Sequence, residues 1–445
     1  MILEGLHKNQ GGLNNMNAFN QTDPQKYLRG VSIIGVGCTP FMETLNNPET
    51  EGFTEGELYG YAALKAMEDA GVSPKDVEFY YHGSASPLNS SNYLTPNMQV
   101  AEWFGMRGKA SLHHSEACCT GFIAIDVAAL AVASGKYDIV LTGCVEFGDA
   151  LAIQGKPACF RERFSFEKFL ISTQWLVDNA YSRHFLANMG HDNTAAWYQE
   201  KAGLTEDEID AALCQLAVNA RHNSQHNPLA IEHQLYEELA KEAGFDNVMD
   251  YMKSNLNPKV GSIQRISGLE RKCDGAAAII LCATDLAEKF TKNKPVEILG
   301  IGNSALEASN PLLEVHATRE ASRQVYNVSG VKPEEIDLLY VNDFIITSQL
   351  LAAEITGYLP ENEAWKYVMA GRTNFDGDKP INPNGGRTAF GHAHAASGLA
   401  DVYDAVHQMR GIAGAHQIKK IPQTVYLRGF GGGQNICNVI IRSKS

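Results

Sequence analysis

No apolar run in this chain approaches the roughly 20 residues needed to cross a bilayer. No Cys-x-x-Cys pair occurs, and no Cys/His spacing suits zinc. A P-loop is missing as well. Basic residues are the minority, 37 Lys and Arg against 51 Asp and Glu, and the net charge of −14 argues against a nucleic-acid surface. The opening stretch, "MILEGLHKNQGGLNNMNAFNQTDPQKYLRG", is polar and lacks the apolar core of a signal peptide. Residues 1–28 read as an extension, flexible or contacting a partner. Nine cysteines, an odd number, exclude a simple disulfide framework. Several lie in apolar runs (Cys144, Cys214, Cys282, Cys437), as buried thiols do in a reducing cytoplasm.

What is present is an ordinary globular composition, 44% hydrophobic and 20% charged, over 445 residues. That length suits two or three domains or a duplicated fold. Duplication is written in the chain. "GVSIIGVGCTP" (30–40) has a counterpart in "PVEILGIGNSA" (295–305). "YAALKAMEDAGVSPKDVEFYYHG" (61–83) is echoed by "REASRQVYNVSGVKPEEIDLLYVND" (319–343). Each reads as an amphipathic helix, a glycine stop, a Pro-bearing turn and an apolar strand. A looser echo links 118–143 to 395–411 followed by 424–435. The expected organisation is therefore two α/β halves, 29–285 and 293–445, with an insertion at about 150–260 in the first. The insertion is rich in polar and aromatic residues, and a role as lid, substrate contact or partner contact stays open. "GIGNSA" fits a loose dinucleotide pattern, but its repeat "GVGCTP" breaks it, so both read as strand-end turns.

The segment "SEACCTGFIAIDVAALAVASGKYDIVLTG" (115–143) places two cysteines where an apolar helix begins. A thiol at a helix N-terminus faces unpaired N–H groups that favour a thiolate. Cys119 is the nucleophile candidate on this ground, and Cys118 reads as packing.

Together with "NDFIITSQLL" (342–351), "GHAHAASG" (391–398) and "GFGGG" (429–433), this segment resembles the thiolase superfamily, on the side of its sterol-carrier-protein-type branch. The resemblance runs from about residue 29 to the C-terminus. It implies a five-layered αβαβα fold, two mixed sheets with central helices between them, in a homodimer. It implies Cys119 as nucleophile, His392 as catalytic histidine, and Asn342 holding an oxyanion-site water. Backbone N–H groups of Gly431, Gly432 and Gly433 would form a second oxyanion site. Met189, in "NMGHDNTA" (188–195), falls where that family lines its acyl pocket, and Phe344, His394 and Ser397 are further substrate-side candidates. Coenzyme A is implied as part of the substrate, with no tightly bound cofactor and no metal. A small companion subunit with a zinc finger and an oligonucleotide-binding-like fold is implied too.

The chemistry has definite needs. A cysteine must hold the acyl group as a thioester, a base must take the thiol proton, and N–H groups must stabilise oxyanions. The family's second cysteine, which moves the α-carbon proton, is absent: Gly429 stands in its place, and Cys437 falls later in a strand. His392, His394, Asp343 or a distant thiol are the candidates for that step. The leading expectation is an acyl-CoA thiolase or C-acyltransferase acting on a 3-oxoacyl-CoA. A retro-aldolase on a β-hydroxyacyl-CoA and a non-catalytic lipid carrier are the alternatives. "RERFSFEKF" (161–169) and Arg221 are possible coenzyme contacts, and the aromatics between Phe160 and Phe185 could line a bulky acyl pocket.

Overall fold

The computed structural model describes residues 28–44, 54–85, 96–147, 186–305, 312–431 and 435–444. The first half runs β1 (Val31–Cys38), α1 (Glu55–Ala70), β2 (Phe79–Gly83), β3 (Ala110–His114), α2 (Thr120–Ala133) and β4 (Ile139–Glu146). The insertion then supplies α3 (Leu186–Ala202) and α4 (Glu206–Ser224) before β5 (Gly275–Ala283) closes the half. The second half runs β6 (Val296–Ala305), α5 (Leu313–Ser329), β7 (Leu338–Val341), α6 (Thr347–Ile355), α7 (Ser397–Arg410), β8 (Thr424–Gly431) and β9 (Asn435–Ser443).

The repeats become a two-fold pattern of strands. The order is β3-β2-β4-β5-β1-β6-β9-β8-β7, so reading outward from the centre gives β1, β5, β4, β2 on one side and β6, β9, β8, β7 on the other. Pairing senses match as well: β1–β5 and β6–β9 are antiparallel, as are β4–β5 and β8–β9, while β2–β4 and β7–β8 are parallel. Two mixed half-sheets were expected. They are joined edge to edge, because Ser32 and Ile33 of β1 pair with Glu297 and Val296 of β6. Both repeat helices stop on a left-handed glycine, Gly71 (φ 73°) and Gly330 (φ 67°), as the glycine stops predict.

The side chains sort into five layers by strand alternation. Facing inward, Val140, Ile279 and Leu281 of the first half and Leu338, Leu427 and Val439 of the second share one core with α2 and α7. Facing outward, Ile34, Leu141 and Ile280 pack on α1. On the other outer face, Leu339, Tyr426 and Ile440 pack with Val325 of α5. The insertion belongs to that last layer. Leu213, Leu216 and Tyr198 join the second-half cluster, and the Tyr198 hydroxyl donates to Glu354 of α6 at 2.7 Å. A segment that interrupts the first half in sequence thus covers the second half in space.

The Gly-x-Gly repeats are not strand-end turns. Gly35 and Gly37 lie inside β1, and Gly300 and Gly302 inside β6, each pair beside a register shift at the same place in its strand. The reason is close helix packing. A Cβ on Gly37 would sit 2.2 Å from the Ala62 carbonyl oxygen of α1, and one on Gly302 would sit 2.2 Å from that of Ala321 of α5. Backbone cannot yield that distance. Gly302→Ala is therefore expected to cost about 1–3 kcal/mol through overpacking, read as a lower midpoint in urea unfolding. An unchanged midpoint would refute the packing explanation.

Candidate active site

The turn between β3 and α2 carries the two cysteines. Ala117 adopts φ 48°, a left-handed conformation that costs an L-residue about 1–2 kcal/mol. The Thr120 hydroxyl holds the turn: it donates to the Ala117 carbonyl at 2.6 Å and accepts from the Glu116 N–H at 2.9 Å. The Cys119 N–H donates to the Glu116 carbonyl at 3.0 Å. This strained elbow turns the two thiols in different directions. Cys119, at the N-cap of α2, has 0% of its surface exposed, whereas Cys118 has 8%. The Cys119 sulfur points at the backbone of Cys437, and a Cβ on Gly431 would lie 3.0 Å from its Cβ. Burial, above all, pushes the Cys119 thiol well above the ordinary cysteine range, so it stays protonated.

Cys118 takes the position expected of Cys119. Its sulfur and ring nitrogens of His392 and His394 all lie within 4.8 Å of one another. Glycine brings the two halves this close. A Cβ on Gly121 would meet the Ala395 carbonyl oxygen and the Leu399 nitrogen at 3.0 Å, and one on Gly398 would meet the Phe122 ring at 2.7 Å. The first turns of α2 and α7, counterparts in the repeat, therefore pack backbone on backbone. Cys118, expected to be packing, thus lies beside the histidines, and Cys119, the nucleophile candidate, is turned away from them because an N-cap side chain here tucks into the core.

His392 is fully buried, and its tautomer follows from its neighbours. The Ser397 hydroxyl donates to the Ala393 carbonyl at 3.0 Å, so it must accept from His392 Nδ1, also at 3.0 Å. Ser397 thus positions the ring and leaves Nε2 as the basic nitrogen. Burial is the main cause holding the His392 pKa well below the usual histidine value, with further depression from His394, Arg387 and Lys272. The imidazole is neutral at neutral pH and can accept a proton.

A third segment completes the cluster. Glu270 Oε2 lies 3.3 Å from His392 Nε2 and 3.6 Å from His394 Nε2, while its Oε1 faces Lys272 Nζ at 3.6 Å. The backbone fixes this carboxylate from both sides. The Glu270 N–H donates to the Phe344 carbonyl at 2.8 Å, and the His392 N–H donates to the Arg271 carbonyl at 2.8 Å. Across the interface, buried Glu146 of β4 accepts from the Ala395 N–H at 3.2 Å and steadies the loop that carries His394. The Arg387 guanidinium, buried on Asp401 at 2.9 and 2.5 Å, interacts electrostatically with Cys118 and supplies positive charge beside the sulfur.

The remaining expected residues fall into place unevenly. Asn342 donates from Nδ2 to the Phe430 carbonyl at 2.8 Å and accepts the Phe344 N–H at 3.3 Å, tying two site segments together. The Phe344 ring lies tilted against Phe430, with ring centroids 5.2 Å apart. Asp343, an acid/base candidate, is turned to the Arg387 N–H at 2.7 Å and the Gln349 amide at 3.1 Å. Arg221 is occupied too: it pairs with Glu232 at 2.8 Å and lies over the Tyr236 ring. Gly431 ends β8 against the elbow, while Gly432, Gly433, residues 148–185 and the Met189 side chain lie outside the described residues. Gly429 explains the missing second cysteine in space: a Cβ there would lie 2.4 Å from the Phe122 ring. A cavity of about 480 Å³ lies elsewhere, bordered by His226, Tyr403, His407 and His416, and contains none of the site residues.

Residues 301–444 match the family described as thiolase C-terminal domain-like. The acetyl-CoA acetyltransferase of Methanothermobacter thermautotrophicus is 28% identical over 91% of this chain and 98% of its own. The benzoylsuccinyl-CoA thiolase subunit BbsB of Thauera aromatica is 25% identical over 92% and 96%. Among solved structures, the Ltp2-ChsH2(DUF35) aldolase superposes with a TM-score of 0.72 at 19% identity, over 93% of this chain and 98% of that one. Human mitochondrial 3-ketoacyl-CoA thiolase superposes with a TM-score of 0.65 at 19% identity, over 94% and 99%. The second half thus carries a thiolase C-terminal domain-like region, and the whole chain is similar to acetyl-CoA acetyltransferases and thiolases and has the fold of solved thiolases.

Proposed function

We propose that this enzyme is a thiolase-type C-acyltransferase acting on a 3-oxoacyl-CoA through an acyl thioester on Cys118. One observation carries the reading: the Cys118 sulfur faces His392, whose Nε2 is left basic by Ser397. His392 takes the thiol proton as the thiolate attacks the 3-oxo carbonyl. The C2–C3 bond then breaks. The electron pair leaves on the α-carbon of the acetyl-CoA fragment, which takes up one proton. Coenzyme A thiolate attacks the acyl-Cys118 carbonyl and releases the shortened acyl-CoA. Glu270 and His394, next to His392, are the groups placed to move the α-carbon proton in place of the absent cysteine. All steps run in reverse for condensation.

The names of the relatives support the substrate class. An acetyl-CoA acetyltransferase and a benzoylsuccinyl-CoA thiolase both act on coenzyme A esters, and the second favours a bulky or aromatic acyl group. BbsB is named as a subunit, and the aldolase is named with a DUF35 protein; both support a companion chain here. A lyase reading draws on that aldolase neighbour, but retro-aldol cleavage needs no sulfur nucleophile. Product analysis separates the two. Coenzyme A-dependent cleavage of a 3-oxoacyl-CoA to two acyl-CoA esters is expected. Coenzyme A-independent release of an aldehyde or ketone from a β-hydroxyacyl-CoA would overturn the acyltransferase reading.

A further inference from the structure

We infer that Cys118, His392 and His394 form a zinc-type cation site superimposed on the acyl site, so that a divalent metal ion shuts the enzyme off reversibly. The metal-binding claim rests on geometry alone, and only the shut-off rests on the acyltransferase reading. Tetrahedral zinc bound at about 2.0–2.3 Å by nitrogen, oxygen and sulfur sets its donor atoms about 3.3–3.6 Å apart. The Cys118 sulfur and one nitrogen of each imidazole lie within 4.8 Å of one another and become three zinc donors after a shift of about an ångström, with water as the fourth. Glu270 Oε2, 3.3 Å from His392 Nε2 and 3.6 Å from His394 Nε2, adds negative charge beside these donors.

The surroundings suit a metal. The His392 Nδ1–H bond to Ser397 fixes the ring and presents Nε2, the arrangement found around metal-bound imidazoles. Lys272 faces the other oxygen of Glu270, and Oε2 is turned to the two histidines. The nearby Arg387 charge is offset by Asp401. Cys118 and His392 are buried, so water competes weakly for the ion. Binding exchanges the thiol proton for the metal: Zn²⁺ and Cys–SH give Zn–S–Cys and one released proton. A sulfur so bonded shares its charge with the metal and is a weaker nucleophile, and the base that would deprotonate it is coordinated. No zinc spacing is visible in the chain because the donors come from residues 118, 392 and 394, on two separate segments.

The test uses the full chain, stripped with chelator and dialysed. Equilibrium dialysis against ZnCl2 should give one tightly held ion per chain, and Co²⁺ should give a thiolate-to-cobalt charge-transfer band. Cys118→Ser should abolish that band and weaken binding by more than the roughly 10–100-fold that follows loss of an outer hydrogen-bond partner. Cys119→Ser should keep the band, which guards against a general effect on folding. Zinc should also slow alkylation of Cys118 by iodoacetamide, with recovery on adding chelator. Binding below one ion per chain, or a band that survives both Cys118→Ser and the His392→Ala/His394→Ala pair, would overturn the site. An acyl adduct without metal binding refutes this inference alone; metal binding without an adduct refutes only the acyltransferase reading.

Discussion

Cys118→Ser is expected to lower turnover of a 3-oxoacyl-CoA by at least about 10⁴-fold, the scale on which removal of a covalent nucleophile is felt. Cys119→Ser is expected to keep most of the activity and lose stability instead. The contrast follows from the elbow. Ala117 at φ 48° and the Thr120 hydroxyl hold one thiol toward His392, and the N-cap geometry turns the next into the core beside Cys437. Serine at 119 places a hydroxyl in that core, with a cost of about 1–3 kcal/mol where no partner compensates. Steady-state kinetics and urea midpoints on both variants check the pair. Equal loss of activity from both would remove the distinction between the two cysteines.

Glu270→Gln separates the two chemical steps. Loss of a general acid or base costs about 10²–10⁴-fold, and that loss should fall on carbon–carbon bond cleavage and condensation. Acylation of Cys118 by an acyl-CoA, which moves no α-carbon proton, should persist. The direct readout is exchange of the acetyl-CoA methyl protons in heavy water, followed by mass: wild type exchanges, and Glu270→Gln does not. Glu270→Asp should recover part of the exchange. Unchanged exchange in Glu270→Gln would assign the step to His394. The carboxylate is well placed for this work because Phe344 and Arg271 pin its segment between Asn342 and His392.

The fold was legible where the chain repeats itself. Helix, glycine stop and strand recur at 61–83 and 319–343, and both stops adopt the left-handed conformation expected of them. The Gly-x-Gly stretches were misread as turns because a glycine that ends a strand and one that admits a helix look alike in sequence; only the carbonyls of Ala62 and Ala321 distinguish them. His392, expected from its motif, lies beside Cys118 and His394. Which cysteine faces the histidines was not legible, because adjacent cysteines differ only in which way a strained elbow points them, and the left-handed residue there is an alanine, which carries no turn signal. Glu270 was invisible for a different reason. It lies 122 residues before His392 in sequence, in a charged stretch without motif, and meets the histidines only through long-range pairing of Lys272 with His392. Its one local hint is a run of Glu-Arg-Lys directly ahead of an apolar strand. The insertion was placed with the half that contains it, although its apolar face was made for the other.

The most direct measurement is the position of the acyl group. The protein is mixed with an acyl-CoA or 3-oxoacyl-CoA, quenched in acid, digested, and the peptide carrying both cysteines is fragmented in the mass spectrometer. The acyl mass is expected on Cys118 alone, at one group per chain, absent from Cys118→Ser and discharged by added coenzyme A. Acyl mass on Cys119, or turnover of the 3-oxoacyl-CoA with no covalent adduct at either sulfur, would contradict it.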